Sequence, residues 1–332
     1  MADCANCPKA QPEAKERWVA PRREVPLSGI LVVDKPPGMT SHDVVDAVRR
    51  IAGQRKVGHA GTLDPMATGV LLVCLGQATR VTEHLMAGRK RYRAAIALGV
   101  TTDTYDAEGE VLTRGGRTDF AREEIEVALQ AFVGPIGQVP PMYSAIKQDG
   151  QPLHKLARQG VTVERQPRPV EIDEILLLDW TPPVLLVEVA CSPGTYLRSL
   201  AHDLGQRLGS GAYLASLVRL SSGRFSLEEA VSLDRLEEAF RHGQEGEYLL
   251  PLDEALLDWP AMIVGDEDAR RIGHGQAVEG QNAADGTLGR AYDLDGKFLA
   301  IMSYHAGSGR WRPAKVFAPQ SGGIPDPSKG SS

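Results

Sequence analysis

Residues 58–76 read GHAGTLDPMATGVLLVCLG and place one acidic residue, Asp64, among glycines, small residues and a proline, directly ahead of the apolar run VLLVCL. An uninterrupted apolar run of that length reads as a fully buried strand. An Asp-Pro pair by itself commonly starts a turn, its carboxylate bonding nearby backbone amides. Here Gly58, Gly61 and Gly69 permit backbone conformations that other residues avoid, and the buried strand follows at once. A carboxylate fixed on a tight loop beside a buried strand is positioned for a task, and the rest of the chain must say which.

At 332 residues the chain is long enough for roughly two domains and a sizeable core. Its 42% apolar and 24% charged residues are ordinary for a globular protein, and no apolar run approaches the ~18 residues of a membrane span. Residues 1–27, rich in proline and charge and without a signal-like apolar segment, are expected to be a disordered extension of a cytoplasmic protein. Cys74 and Cys191 sit in apolar strand-like runs as reduced, buried thiols, and Cys4 and Cys7 form a C-x-x-C with no second ligand pair at zinc spacing. The net charge of −6 argues against a uniformly basic surface. Residues 89–93, RKRYR, nevertheless surround a tyrosine with cations and leave room for a basic groove.

From Gly29, ILVVDK reads as a buried strand, PPGM as a turn, and SHDVVDAVRRIAG as a helix with Ser41 at its N-cap and Val44, Val45, Val48 and Ile51 on one face. QATRVTEHLMAG reads as a short helix, RYRAAIALG as a strand, and DAEGEV as a hairpin turn at Gly109. Residues 119–132 form an amphipathic helix through Phe120, Ile125, Leu129 and Phe132. Residues 138–160 break this regularity with two prolines, an Asp-Gly turn and a short basic helix, the mark of a ligand-contacting excursion. Strands are expected at VEIDEILLLDW and VLLVEVAC, a helix at TYLRSLAHDLGQRLG, and a strand at ASLVRLSSGRF. A further helix covers SLEEAVSLDRLEEAF, opened by a capping box from Ser226 to Glu229. After Trp259, short strands separated by Gly, Asp and Asn suggest a small β-barrel, and the tail SGGIPDPSKGSS is low in complexity.

The chain holds no G-x-x-x-x-G-K-[ST], no dinucleotide fingerprint, no G-x-S-x-G and no H-E-x-x-H. His59 stands alone near Asp64, and His202 with Asp203 reads as a solvated pair on a helix, so no metal spacing appears. Asp64 is left with charged or phenolic candidate partners: Arg198, Tyr92, Tyr196 and His59. Beside an arginine its carboxyl pKa is expected to fall, which suits a nucleophile or an electrostatic stabiliser better than a general acid.

GILVVDKPPGMTSHDVV, GHAGTLDPMATGVLLVCLGQATR, KRYRAAIALGVTTDTYDAEGE, VPPMYSAIKQDGQPLHKLARQG and CSPGTYLRSLAHDLG follow one another in this order. Together they resemble the bacterial TruB family of tRNA pseudouridine synthases, from about Gly29 to Arg224. The resemblance implies an α+β (mixed) fold. Its catalytic domain, over 28–258, would surround a central, mostly antiparallel sheet and carry an RNA-contacting insertion at 138–168. A small C-terminal PUA-like β-barrel would follow over 259–318, before a disordered tail at 319–332. The implied reaction is isomerisation of the T-loop uridine at tRNA position 55. In that family Asp64 corresponds to the catalytic nucleophile, Arg198 to the arginine that pairs with it, and Tyr92 to the tyrosine that stacks on the target base and aids proton removal. His59 corresponds to the histidine entering the space left by the flipped nucleotide, and Tyr196 and Leu217 to pocket residues around the uracil.

The chemistry makes matching demands. Uracil must be cut at its N-glycosidic bond, turned and rejoined through C5 with nothing added from outside, so no cofactor and no metal is required. One ionised carboxylate can attack and hold the intermediate. Extruding the base costs on the order of a few kcal/mol, offset by aromatic stacking. Phosphate contacts are expected from Arg89, Lys90, Arg91, Lys147, Lys155 and Arg158, with Lys35 a further candidate. The partner is then the T-arm of tRNA, with no membrane and no guide RNA, and the protein a monomer. A non-catalytic tRNA-binding or tRNA-folding module is the competing reading, and a relative working in a guide-RNA particle a third. Asp64, Tyr92 and Arg198 together favour catalysis, because a binder of polyanionic RNA has no need of a buried carboxylate.

Overall fold

The apolar run after the Asp64 loop forms β3 (Thr68–Leu75), which pairs in register with β1 (Gly29–Lys35). Because strand side chains alternate, these two strands feed two separate cores. Leu31, Val33, Leu71, Val73 and Leu75 enter the larger one, while Ile30, Val32, Val70, Leu72 and Cys74 enter a second on the opposite face. A strand buried on both sides needs no polar alternation, which is why its sequence shows none. The structure, a computed structural model, describes residues 18–144, 146–148, 150–161 and 163–317. Cys4, Cys7 and the tail at 319–332 lie outside the described residues.

The fold is mixed α+β, as the resemblance implies. Its nine-stranded central sheet also contains β2 (Val57–Ala60), β4 (Lys90–Leu98), β7 (Gly134–Gln138), β10 (Arg168–Thr181), β11 (Val184–Cys191), β12 (Ala212–Ser222) and β13 (Phe225–Ser226). The order along the main path is β1-β3-β12-β4-β11-β10-β7, with β2 on β3 and β13 on β12. Every pairing is antiparallel except the short β3–β12 contact. Two small hairpins stand outside it: β5 (Val100–Thr102) with β6 (Val111–Arg114), and β8 (Lys147–Gln148) with β9 (Gln151–Pro152).

The larger core is closed by α1 (Ser41–Ala52), through Val44, Val45, Val48 and Ile51. Ile125 and Leu129 of α3 (Arg122–Gln130), and Leu197, Leu200 and Leu204 of α5 (Leu197–Arg207), complete that layer. Leu85 of α2 (Thr82–Ala87), with Leu252 and Leu256, covers the second core. The short α4 (Leu153–Arg158) lies in the excursion and α6 (Leu233–Arg241) packs beside α1.

Several local expectations are corrected. The N-cap of α1 is Thr40, whose capping box with Asp43 satisfies the first amides; Ser41 is freed for another contact. QATRVTEHLMAG divides into a 3₁₀ turn (Gly76–Arg80) and α2. SLEEAVSLDRLEEAF also divides: the Ser226 box caps only a 3₁₀ turn at Leu227–Glu229, and Ser232 caps α6. Val231 lies between them because its amide donates to Val32 and its carbonyl accepts from Asp34, stitching the segment to β1. Residues 18–27, read as part of a disordered extension, instead lie along α1: the Ala20 amide bonds Arg50, the Arg23 amide bonds Gly53, and Leu27 brackets Gln54.

A small C-terminal β domain follows. Its four strands, β14 (Ala261–Ile263), β15 (Leu288–Tyr292), β16 (Phe298–His305) and β17 (Arg310–Val316), share a core with Ile272 of α7 (Asp266–Gly273). Arg80 anchors it, donating to the Val316 carbonyl and covering the Phe317 ring at 4.8 Å.

Candidate active site

Asp64 sits on the loop between β2 and β3, and three elements hold that loop by its backbone. Lys35, at the end of β1, is fully buried and donates to the Pro36 and Pro65 carbonyls at 2.9 and 3.1 Å. Ser41 accepts from the Leu63 amide at 2.8 Å and donates to the Leu63 carbonyl at 3.2 Å, the contact its release from capping permits. Arg219 of β12, 1% exposed, donates to the carbonyls of Val70 (2.6 Å), Gly61 (3.2 Å) and Thr62 (3.5 Å). Gly69 must be glycine here: its φ is +93°, and a Cβ would stand 2.3 Å from the Arg219 carbonyl oxygen.

Arg198, in the first turn of α5, meets the carboxylate through two nitrogens. Its Nη2 donates to Asp64 Oδ1 and its Nε lies against Oδ2, both at 3.0 Å. The same Nη2 donates to the Tyr143 carbonyl at 2.9 Å, and Asp106 Oδ2 lies 3.7 Å from Nε. Arg198 is thus a buried arginine between two carboxylates, not a solvated one. The expectation of a lowered Asp64 pKa is overturned: burial pushes it above the ordinary aspartate value, outweighing the downward pull of Arg198, and Asp106 adds to the rise.

Tyr92 of β4 is buried and lies opposite Arg219 in the β4–β12 register. Burial raises its phenol pKa, while the Arg219 guanidinium beside it pulls the other way. Leu217, two residues before Arg219, shares the core with Tyr92. Tyr196 precedes α5, fixed by Gln138, which accepts from its amide at 2.7 Å and donates to its carbonyl at 3.1 Å. His59, on β2, stands edge-on to His42 with ring centroids 5.3 Å apart. Burial lowers its pKa, and His42 and Arg219 add to the effect.

The basic run behaves differently from a free phosphate-binding patch. Arg89 pairs with Glu171 and Asp173, and Arg91 with Glu188 and Glu174. Lys90 is buried, its ammonium on the Met86 and Gly88 carbonyls, and burial lowers its pKa to about 8. Lys35 likewise presents no surface charge. Lys155 is exposed on α4, whereas the side chains of Lys147 and Arg158 lie outside the described residues. His202 and Asp203 are half-buried rather than solvated, and the His202 ring stacks on Tyr105.

The structure therefore gathers Asp64, Arg198, Tyr92 and Lys35, and adds Asp106 and Arg219, which the sequence reading missed. Arg219 had a usable signal, since it stands on the Leu217 face within the otherwise apolar stretch 217–220. Asp106 had none beyond its turn. Among the described residues no three His, Cys, Asp or Glu side chains are grouped to hold a metal ion. What the arrangement offers is a reachable carboxylate, Asp64, held by a buried guanidinium near a buried phenol, with the exposed Glu108 facing the same charges.

The matches to family models and to the most similar relatives agree on one family. Residues 49–197 match the TruB family pseudouridylate synthase N-terminal domain, and residues 198–257 match the tRNA pseudouridylate synthase B C-terminal domain. A tRNA pseudouridine synthase B from Syntrophotalea carbinolica is 49% identical over 249 residues, covering 75% of this chain and 81% of that protein. One from Dehalococcoides mccartyi is 46% identical over 295 residues, covering 89% and 98%. Among solved structures, a Cbf5-Nop10-Gar1 complex matches with a TM-score of 0.69 and 28% identity, over 88% of this chain and 85% of that one. An H/ACA RNP bound to a substrate RNA containing 2'-deoxyuridine matches at 0.67 and 25%, over 93% and 92%.

Proposed function

The chain belongs to the TruB family of pseudouridylate synthases and isomerises uridine in tRNA, and we propose that it does so at T-loop position 55, with Asp64 as nucleophile toward a flipped-out base. The observation that carries these roles is the two-point grip of Arg198 on Asp64. The Asp64 side chain keeps 34% of its surface exposed while that of Arg198 keeps 5%, so the carboxylate is reachable and its partner is shielded. A guanidinium that donates to Oδ1 and stands 3.0 Å from Oδ2 holds the carboxylate in place before substrate arrives, which is what a nucleophile needs.

In the net reaction the bond from the sugar to N1 breaks, a bond from the sugar to C5 forms, the C5 proton leaves and N1 gains one. Tyr92 is suited to lie against the uracil, and Leu217 and Tyr196 to wall the pocket; because burial keeps the Tyr92 phenol neutral, it can aid loss of the C5 proton only by passing on its own. His59 is suited to the space the base vacates. We assign residues 28–258 to the catalytic unit and 259–318 to a PUA-like RNA-binding unit, with Lys155 on the excursion between β7 and β10 meeting phosphate. We assign the protein as a monomer working in the cytoplasm on bare tRNA without a guide RNA; among the described residues no helix is long and apolar enough to cross a membrane.

The test is tritium release from tRNA whose uridines carry the label at C5, with the purified protein and a chelator. Release near one equivalent per tRNA by the parent and none by Asp64→Asn is expected. Binding without release by either protein would overturn the catalytic assignment in favour of an RNA-binding module.

A further inference from the structure

Tyr105 is the one non-glycine residue with a positive φ, +65°, among the described residues. A tyrosine rarely enters the left-handed region, and it stays there only when its surroundings over-determine it. Here the surroundings are specific. The Tyr105 ring stacks on His202 with centroids 3.9 Å apart and planes 15° from parallel, and its carbonyl accepts from the Leu214 amide at 2.9 Å.

The next residue is Asp106, whose carboxylate faces Arg198. Thr104 donates to Asp106 Oδ1 at 2.5 Å, the Glu108 amide donates to the same oxygen at 3.0 Å, and Thr102 donates to the Asp106 carbonyl at 2.8 Å. With Oδ1 occupied within its own loop, Oδ2 is the oxygen left for the guanidinium. Arg198 and His202 are four residues apart on α5 and so share one helical face. Two adjacent loop residues, Tyr105 and Asp106, are therefore matched to two residues one turn apart on the helix.

We propose that the Tyr105–His202 stack is a positioning contact for the reaction: it docks the 103–109 loop on α5 so that Asp106 fixes Arg198, and through it Asp64. This rests on the reading of Asp64 and Arg198 as the reacting pair. Among the described residues the hydrogen bond and ion pair to Asp64 come from Arg198, and the two rings are assigned to act through that arginine. The left-handed turn at Tyr105 is the feature that lets consecutive side chains reach the same helix face, which an extended backbone would send to opposite sides.

The experiment is single-turnover tritium release at saturating enzyme, beside the tRNA Kd and the thermal midpoint, for Tyr105→Gly, His202→Ala, His202→Phe, Tyr105→Phe and Asp64→Asn. Gly accepts a positive φ and Ala is a strong helix former, so the first two variants remove a ring with little backbone penalty. Each is expected to lose on the order of tenfold to a hundredfold in rate while the tRNA Kd stays within about twofold, because a small misplacement of reacting groups acts on rate. Both Phe variants, which keep a ring for stacking, are expected to run near the parental rate. Parental rates in folded Tyr105→Gly and His202→Ala would overturn the proposal, and so would a loss in His202→Phe as large as in His202→Ala. If His202→Ala does not fold, a parental rate in Tyr105→Gly, or a loss of about tenfold or more in His202→Phe, would overturn the proposal. Turnover by Asp64→Asn would instead sink the underlying active-site assignment.

Discussion

Arg198 and Asp64 meet through two contacts of 3.0 Å, Nη2 to Oδ1 and Nε to Oδ2, although 134 residues separate them in sequence. A single ammonium cannot place two nitrogens against the two oxygens in this way.

Arg198→Lys should therefore retain the charge but lose the two-nitrogen contact, and its single-turnover rate should fall by at least about tenfold. Arg198→Met, which leaves Asp64 unpaired beside Asp106, should fall on the order of a hundredfold or more. Equal rates for Lys and the parent would show that charge alone suffices.

The acid limb of the pH–rate profile should lie above the ordinary aspartate range, because burial raises the Asp64 pKa despite Arg198. The working form is the carboxylate, so rate is lost as pH falls through the folded-state pKa. Arg198→Met removes the downward pull and should move the limb to higher pH. An acid limb at or below the free aspartate value would contradict this.

Arg219→Met strands three backbone carbonyls, those of Gly61, Thr62 and Val70, that now have a buried donor. Leaving buried acceptors unpaired outweighs relief of the buried charge, and urea unfolding should report a loss of about 2–4 kcal/mol. Activity should fall further than the unfolded fraction explains, since the Asp64 loop loses its hold.

Gly69→Ala should destabilise by more than about 2 kcal/mol. Both its φ of +93° and the Arg219 backbone in the way oppose a Cβ. A thermal midpoint within a degree or two of the parent would mean that β12 yields more easily than a paired strand should.

Arg91→Ala should leave the salt dependence of tRNA binding nearly unchanged, because Arg91 is already engaged by Glu188 and Glu174. Lys155→Ala should lower the slope of log K against log salt by about one, the mark of a lost phosphate contact. The reverse pattern would show that RNA displaces the acidic partners of the β4 arginines.

Periodicity and turn chemistry were enough to find most strands, the core face of α1, the excursion after β7 and the loop that presents Asp64. They erred where a second local option existed. Ser41 and Thr40 are both competent caps, and Ser232 offered a second helix start inside SLEEAVSLDRLEEAF. The choice fell to contacts from far along the chain, Leu63 for Ser41 and β1 for Val231.

The sequence by itself determined that a carboxylate stands on a glycine-hinged loop before a strand buried on both faces, because both facts are local: backbone freedom and apolar continuity. Only the tertiary structure decided which cations are free. Arginine and lysine are mostly exposed residue types, yet Arg198, Arg219, Lys35 and Lys90 are each buried. Burial and pairing depend on what the fold places nearby, and no local pattern encodes a neighbour 134 residues away.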